Sequence, residues 1–170
     1  MRSYAKESWI DPRVEVRESE KGKGMFTTAP IKEGEVVTIW GGSVFTNEEK
    51  KAGLVKKYTA SRIDEGHWLG SNLDEPDSPD QYLNHSCDPN LWLIDEVTLV
   101  ARRDIAADEE LTADYSTWSV DESWIMDEPC RCGVPQCRHS VTGSDWKLKD
   151  LQERYRGHFV PFINERIQAS

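Results

Sequence analysis

The sequence predicts a mostly β domain closed by a short helical tail. Three features predict it. Apolar, β-branched and aromatic residues come in short runs that suit strands. Clusters of Gly, Pro, Asp and Asn punctuate those runs. Sustained helical spacing of apolar residues is confined to the chain after Gly143.

The elements follow in chain order. Val14-Glu15-Val16-Arg17 alternates apolar and charged residues, as a half-buried strand does. Residues 20–24 turn the chain, and Met25-Phe26-Thr27-Thr28 extends again. Residues 30–35 are a second turn with Gly34 at its tip. Residues 36–40 are rich in β-branched side chains and close at Gly41-Gly42; Val44-Phe45 continues the run. Thr46 and Glu49 stand in capping-box register for a short helix over residues 47–54. Residues 61–80 read as a short strand pair and then an acidic loop, with six acids against one Arg. Trp92-Leu93-Ile94 and residues 97–101 form a hairpin around Asp95-Glu96. A turn over residues 106–109 leads into Glu110-Leu111-Thr112-Ala113. In the tail, Ser144 or Asp145 caps a helix carrying Trp146, Leu148, Leu151 and Tyr155, and Gly157 stops it. Pro161 starts a second short helix through Ile167.

Composition narrows the function. A chain of 170 residues suits one domain, with or without a small appendage. Asp and Glu number 31 against 21 Lys and Arg, a net charge of −10. That excess repels phosphate backbones, so it argues against direct nucleic-acid binding and favours a basic partner. Seven Trp, five Tyr and four Phe can fill a core, which argues against intrinsic disorder. No run of about 18 apolar residues exists to span a membrane. The N-terminus lacks the apolar core of a signal peptide, so an intracellular location is expected.

The four cysteines are Cys87, Cys130, Cys132 and Cys137. Three lie in Cys-Arg-Cys-Gly-Val-Pro-Gln-Cys, where residues two apart are poorly placed to bridge each other. A tight turn at Gly133 and Pro135 can instead aim thiolates at one cation. Four thiolates suit a closed tetrahedral zinc site, with Cys87 as the distant fourth ligand. On spacing alone, free thiols or two disulfides stand beside this reading. So does a nucleophilic Cys87 paired with His85.

Residues 82–90 read Tyr-Leu-Asn-His-Ser-Cys-Asp-Pro-Asn. This resembles the Asn-His-Ser-Cys-x-Pro-Asn motif of SET-domain lysine methyltransferases. Lys21-Gly22-Lys23-Gly24-Met25-Phe26 resembles the family's N-terminal glycine turn. Glu110-Leu111-Thr112-Ala113-Asp114-Tyr115 resembles its Glu-Leu-Thr-x-Asp-Tyr strand. Residues 130–137 resemble its post-SET segment, which borrows the motif cysteine as fourth zinc ligand. The resemblance covers most of the chain, residues 14–140.

The resemblance implies a SET-domain fold of small curved sheets, a β-clip. It implies a pseudoknot, an exception to the rule that chains do not thread loops. It divides the chain into a SET domain over residues 12–118, a zinc-binding post-SET segment over 126–142 and a C-terminal helical appendage over 143–170. It also implies methyl transfer from S-adenosylmethionine to a lysine of a basic protein segment such as a histone tail, with Zn2+ bound by the four cysteines. Tyr115 matches the catalytic tyrosine, which would orient the amine. Asn84, His85, Lys21, Gly22, Lys23 and Gly24 would bind the cofactor: an amide meets both ammonium and carboxylate, and glycines let the backbone approach. Tyr58, 26 residues before Asn84, is a further cofactor candidate beside a packing role.

The chain departs from the family pattern at two places. Ala113 stands where Phe or Tyr often limits the number of methyl groups, and Trp92 and Leu93 are candidates to fill that space. Trp40 replaces a tyrosine, so an indole donor stands for a hydroxyl. Trp40, Trp92, Ala113 and Trp118 are thus the candidate lysine channel, with packing as the other role for Trp118 and Trp124. These departures leave a catalytically weak peptide- or cofactor-binding module as the alternative. The acidic stretches 61–80 and 104–128 either steer a cationic peptide or form a solvated surface. Cytoplasm for a bacterial source and nucleus for a eukaryotic one are the expected compartments, and monomer or dimer is left open.

Overall fold

The computed structural model describes residues 3–19 and 22–169. Eleven strands are present among them. The first six are β1 (Trp9–Ile10), β2 (Val14–Ser19), β3 (Gly22–Thr27), β4 (Val36–Ile39), β5 (Ser43–Thr46) and β6 (Ser61–Arg62). The rest are β7 (His67–Gly70), β8 (Asn84–His85), β9 (Leu91–Leu93), β10 (Thr98–Ala101) and β11 (Glu110–Ala113). They form three small sheets, ordered β1-β4-β10-β9, β2-β3-β11-β8 and β5-β7-β6. The mostly β expectation holds, and the sheets stay open rather than closing into a barrel.

One pairing makes the site. β11 runs antiparallel to β3, with Leu111 opposite Met25. On its other edge it runs parallel to β8, with Thr112 opposite Asn84 and Ala113 opposite His85. Parallel pairing cannot be made by a tight turn and needs a long connection. Here residues 86–109 supply it, and the end of β11 arrives beside Asn84-His85.

Helix α1 (Asn47–Lys51) has the expected capping box: the Thr46 hydroxyl accepts from the Glu49 amide, and the Glu49 carboxylate accepts from the Thr46 amide. It stops before Leu54, because Ala52 caps it and Gly53 turns at φ 77°. The first tail helix is also shorter than the spacing suggests. A 3-10 turn over Asp145–Lys147 precedes α2 (Lys149–Arg154), with Leu148 extended between them. The Asp145 side chain accepts bonds from Arg138 and Thr142 instead of capping the helix. α3 (Pro161–Ala169) forms as expected.

The tail shares the main core. Leu151, Tyr155, Phe159, Val160 and Ile163 are buried with Met25, Leu91, Leu99 and Leu111 of the sheets. A second small cluster holds Cys87, Cys130 and Val141, with Tyr115 and Trp124 packed against it. Among the described residues no helix is long and apolar enough to cross a membrane.

Candidate active site

A cleft of about 1980 Å³ opens over the β8–β11 junction. Of the expected cofactor residues, Lys23, Tyr58, Asn84 and His85 line it. Tyr115 lines it too, as do Trp40 and Trp118 of the expected channel. Lys21 lies outside the described residues.

Tyr115 lies two residues beyond the end of β11, and three partners orient it. Its hydroxyl donates to the Leu83 carbonyl at 2.6 Å. Its backbone N–H donates to His85 Nδ1 at 3.2 Å. Its ring meets the edge of His85 at 5.2 Å and tilts on Trp118 at 5.4 Å. Trp118 in turn stacks edge-on against Trp40 at 5.2 Å, so three aromatic rings form a continuous wall. Burial, reinforced by the charge of Glu110, pushes the Tyr115 phenol well above its usual value, so it keeps its proton at neutral pH. The hydroxyl proton is committed to Leu83, which leaves the oxygen lone pairs to accept.

His85 fixes its own tautomer. Because Nδ1 accepts from Tyr115, the ring proton belongs on Nε2, which lies 3.3 Å from Cys87 Sγ and donates to it. The Arg138 amide also points at that sulfur, at 3.4 Å. The four cysteine sulfurs lie within 4.8 Å of one another, with Cys87 and Cys130 3.9 Å apart. All four are unbridged. Four sulfurs at about 2.3 Å from one zinc ion sit about 3.8 Å apart in a tetrahedron, so the donor set and its spacing fit that metal. Gly133, at φ 77°, gives the loop the left-handed turn that folds Cys132 and Cys137 to one side.

Asp114 ties these parts together. It is fully buried between Tyr115 and Ala113 and accepts a two-pronged bond from Arg138, both contacts at 2.8 Å. Ser116 adds its amide and hydroxyl, and the Tyr155 hydroxyl lies 3.1 Å away. Burial, the largest single effect, raises this carboxyl, but Arg138 together with the neighbouring His85 and Ser116 outweighs it and the net shift is downward. Arg138 also reaches Asp145. The sequence reading does not single out Leu83, Arg138 or Tyr155. A backbone carbonyl has no sequence signature, and the other two act through a partner far along the chain.

The remaining expected residues fall as follows. Asn84 Nδ2 donates to the Lys23 carbonyl at 3.1 Å and to Glu110 at 2.7 Å. Gly24 passes close beneath: a Cβ there would come within 2.6 Å of the Glu110 carboxylate and 3.0 Å of Asn84 Nδ2, so a side chain would push both groups aside. Gly22 and Gly24 shape β3, while Lys23 between them faces the cleft. Tyr58 is 70% exposed at the cleft edge, where its hydroxyl donates to Asp127 at 3.0 Å. Ala113 is buried against β8 rather than lining the cleft, and Trp92 lies elsewhere, stacked on His158 at 3.5 Å. Trp92 is thereby committed to the tail and is not available to fill the space Ala113 leaves. Trp124, beside Tyr115, lines the cleft instead.

The sequence model of the SET domain family matches residues 22–116, more than half of the chain. The chain belongs to the SET domain family. The histone-lysine N-methyltransferase ash1 of Drosophila melanogaster is 31% identical over 148 residues, 78% of this chain and 6% of that protein. The histone-lysine N-methyltransferase ATX2 of Arabidopsis thaliana is 28% identical over 139 residues, 73% of this chain and 12% of that protein. The H3 lysine-9 specific enzyme dim-5 of Neurospora crassa is 27% identical over 160 residues, 72% of this chain and 48% of that protein. The chain thus spans a small part of the first two and about half of the third. Among solved structures, the methyltransferase domain of human SETMAR superposes with a TM-score of 0.61 at 23% identity, covering 78% of this chain and 58% of that one. That likeness shows a SET fold.

Proposed function

We propose that this SET domain is an S-adenosylmethionine-dependent protein-lysine N-methyltransferase acting on a basic protein segment such as a histone tail. The observation that carries the reading is that Tyr115, with its aromatic wall, shares one cleft with Lys23 and Asn84. S-adenosylmethionine, when bound, supplies an electrophilic methyl group. The Lys23 ammonium suits its carboxylate, and the Asn84 carbonyl and the cleft-edge backbone suit its ammonium. Trp40, Trp118 and Tyr115 would wall in the target lysine. Desolvation there favours the neutral amine, the form able to attack. The Tyr115 oxygen, its proton held by Leu83, would accept a hydrogen bond from that amine and align it. The four thiolates would hold a structural zinc ion that fixes residues 130–137 beside the cleft.

The relatives named as histone-lysine methyltransferases support a histone as the first substrate to try. The unbridged cysteines suit a reducing compartment, in keeping with an intracellular protein. The test is transfer of radiolabelled methyl from S-adenosylmethionine to recombinant core histones and to cell lysate, with Tyr115→Phe as control. Label in wild type that the variant loses supports the reading. Cofactor binding by calorimetry without label anywhere would make the chain a binding module instead.

A further inference from the structure

We propose that Ser61 is a substrate-contacting residue, whose hydroxyl accepts a hydrogen bond from an N–H group of the bound basic segment. Ser61 is only 6% exposed, yet its Oγ has no hydrogen-bond partner. A buried hydroxyl left unmet is costly, so such atoms mark places where something else completes the bond. The residue lines the same cleft as Tyr115, Trp40 and Trp118.

Its direction follows from the strand. Side chains alternate along β6, and the next residue, Arg62, is turned from the cleft lining towards the tail, where its guanidinium lies 5.8 Å over the Phe162 ring. Ser61 must therefore face inward. Its cross-strand neighbour on β7 is Leu69, which is also buried and also lines the cleft. Pairing with β7 leaves Ser61 little freedom to swing away. Its surroundings in the cleft floor are mostly apolar: Val55, Leu69 and Leu83 are all buried there. A polar group set in such a floor confers direction on whatever binds.

Chemistry selects the ligand. A hydroxyl can donate or accept; arginine and charged lysine offer donors only, and the neutral target amine keeps its lone pair for the methyl group. Ser61 would therefore accept, either from the target ε-amine or from a neighbouring Lys or Arg of the segment. The two sources differ in a measurable way. Each methyl group added to the ε-amine removes an N–H. If Ser61 binds that amine, it favours less methylated substrate and restrains successive transfers. If it binds a neighbour, it affects only how tightly the segment is held.

This inference rests on the methyltransferase reading. The experiment is steady-state methylation of recombinant histone H3 by the full chain, with products resolved by mass spectrometry. Ser61→Ala removes the hydroxyl without adding bulk. Ser61→Thr and Ser61→Val have nearly the same shape, and only the first keeps a hydroxyl. Loss of one such bond should raise the KM for histone roughly three- to tenfold in the Ala variant, with the KM for S-adenosylmethionine unchanged. Val should show a larger defect than Thr. A rise in the dimethyl and trimethyl share in Ala, reversed in Thr, assigns the bond to the target amine. A KM change with constant product ratios assigns it to a neighbouring side chain. Equal KM and product ratios in wild type and Ala, or equal defects in Thr and Val, would overturn the proposal. If wild type labels neither histone nor lysate, the methyltransferase reading fails first, and this inference falls with it.

Discussion

Tyr115 is held through its hydroxyl, its amide and its ring, and this makes its loss easy to interpret. Tyr115→Phe keeps the ring against His85 and Trp118 and removes only the oxygen that Leu83 orients. Methyl transfer should fall by about two orders of magnitude, the usual scale for one positioned polar group at a reacting centre. The melting temperature should stay near that of wild type, as circular dichroism would show; a matching collapse of fold would mean a structural role. Asp114, its neighbour, is the opposite case. Arg138→Ala leaves a buried carboxylate without its counter-charge, which should cost about 3–5 kcal/mol in chemical denaturation. Asp114→Asn in that background should recover part of the loss, because the stranded charge is gone. Arg138 holds Asp114 below its ordinary value of 3.8, despite burial. The folded chain therefore stays charged where an unfolded chain takes a proton. The stabilisation is complete above about pH 4 and drains as pH falls through the lowered value. In Arg138→Ala burial acts unopposed and raises the same carboxyl, so the gap should be widest near neutral pH and should narrow as pH falls.

The loop of residues 130–137 and the tail show which elements a sequence makes legible. Thr46 and Glu49 announce α1 because a capping box is local and both partners lie within one turn. The break at Leu148 is invisible, since it follows from Asp145 engaging Arg138 rather than the helix behind it. Trp92 misleads for the same reason. Alternation assigns it to a face of β9, but only the fold shows that His158 occupies that face. The cysteine loop lies between these cases. Its spacing and Gly133 suggest a thiolate turn, while Cys87 joins only when the motif is matched. Four sulfurs that hold one ion act as a unit, so their losses should not add. Cys87→Ser and Cys137→Ser should each lower the zinc content and the melting temperature, and the double variant should be no worse than the more damaging single one. Metal analysis beside calorimetric melting checks this. Additive losses, or a melting temperature indifferent to a strong chelator, would sink the shared-ion reading.

At the scale of the whole molecule, the strand order is what sequence patterning withholds. Periodicity finds Asn84-His85 and Glu110–Ala113 as separate short runs, and nothing in either says that they pair in parallel. The four ordered motifs imply, through resemblance, a pseudoknot, but not which strands pair. They say nothing about residues 143–169, which lie beyond them. The structure gives this tail a larger part than that of an appendage. Arg154 donates to the Cys87 carbonyl at 3.0 Å, and Tyr155 sits between that carbonyl and Asp114. The tail thus touches the cysteine cluster and the strand that carries Tyr115 from behind. It also places Leu151, Tyr155, Phe159, Val160 and Ile163 in the main core. At about 1.5–3 kcal/mol for each buried side chain, their removal withdraws on the order of 10 kcal/mol, comparable with the whole stability of a domain. A chain cut after Gly143 should therefore lose cooperative unfolding and bind a hydrophobic dye, and its methyl transfer should vanish. A milder change separates site support from bulk stability. Tyr155→Phe keeps the packing and removes only the hydroxyl near Asp114, so it should lower stability by about 1 kcal/mol while cofactor binding persists. If the shortened chain melts cooperatively near the wild-type temperature and retains full activity, the tail is an ornament on a core complete without it. The burial of Tyr155 and Ile163 argues against that outcome.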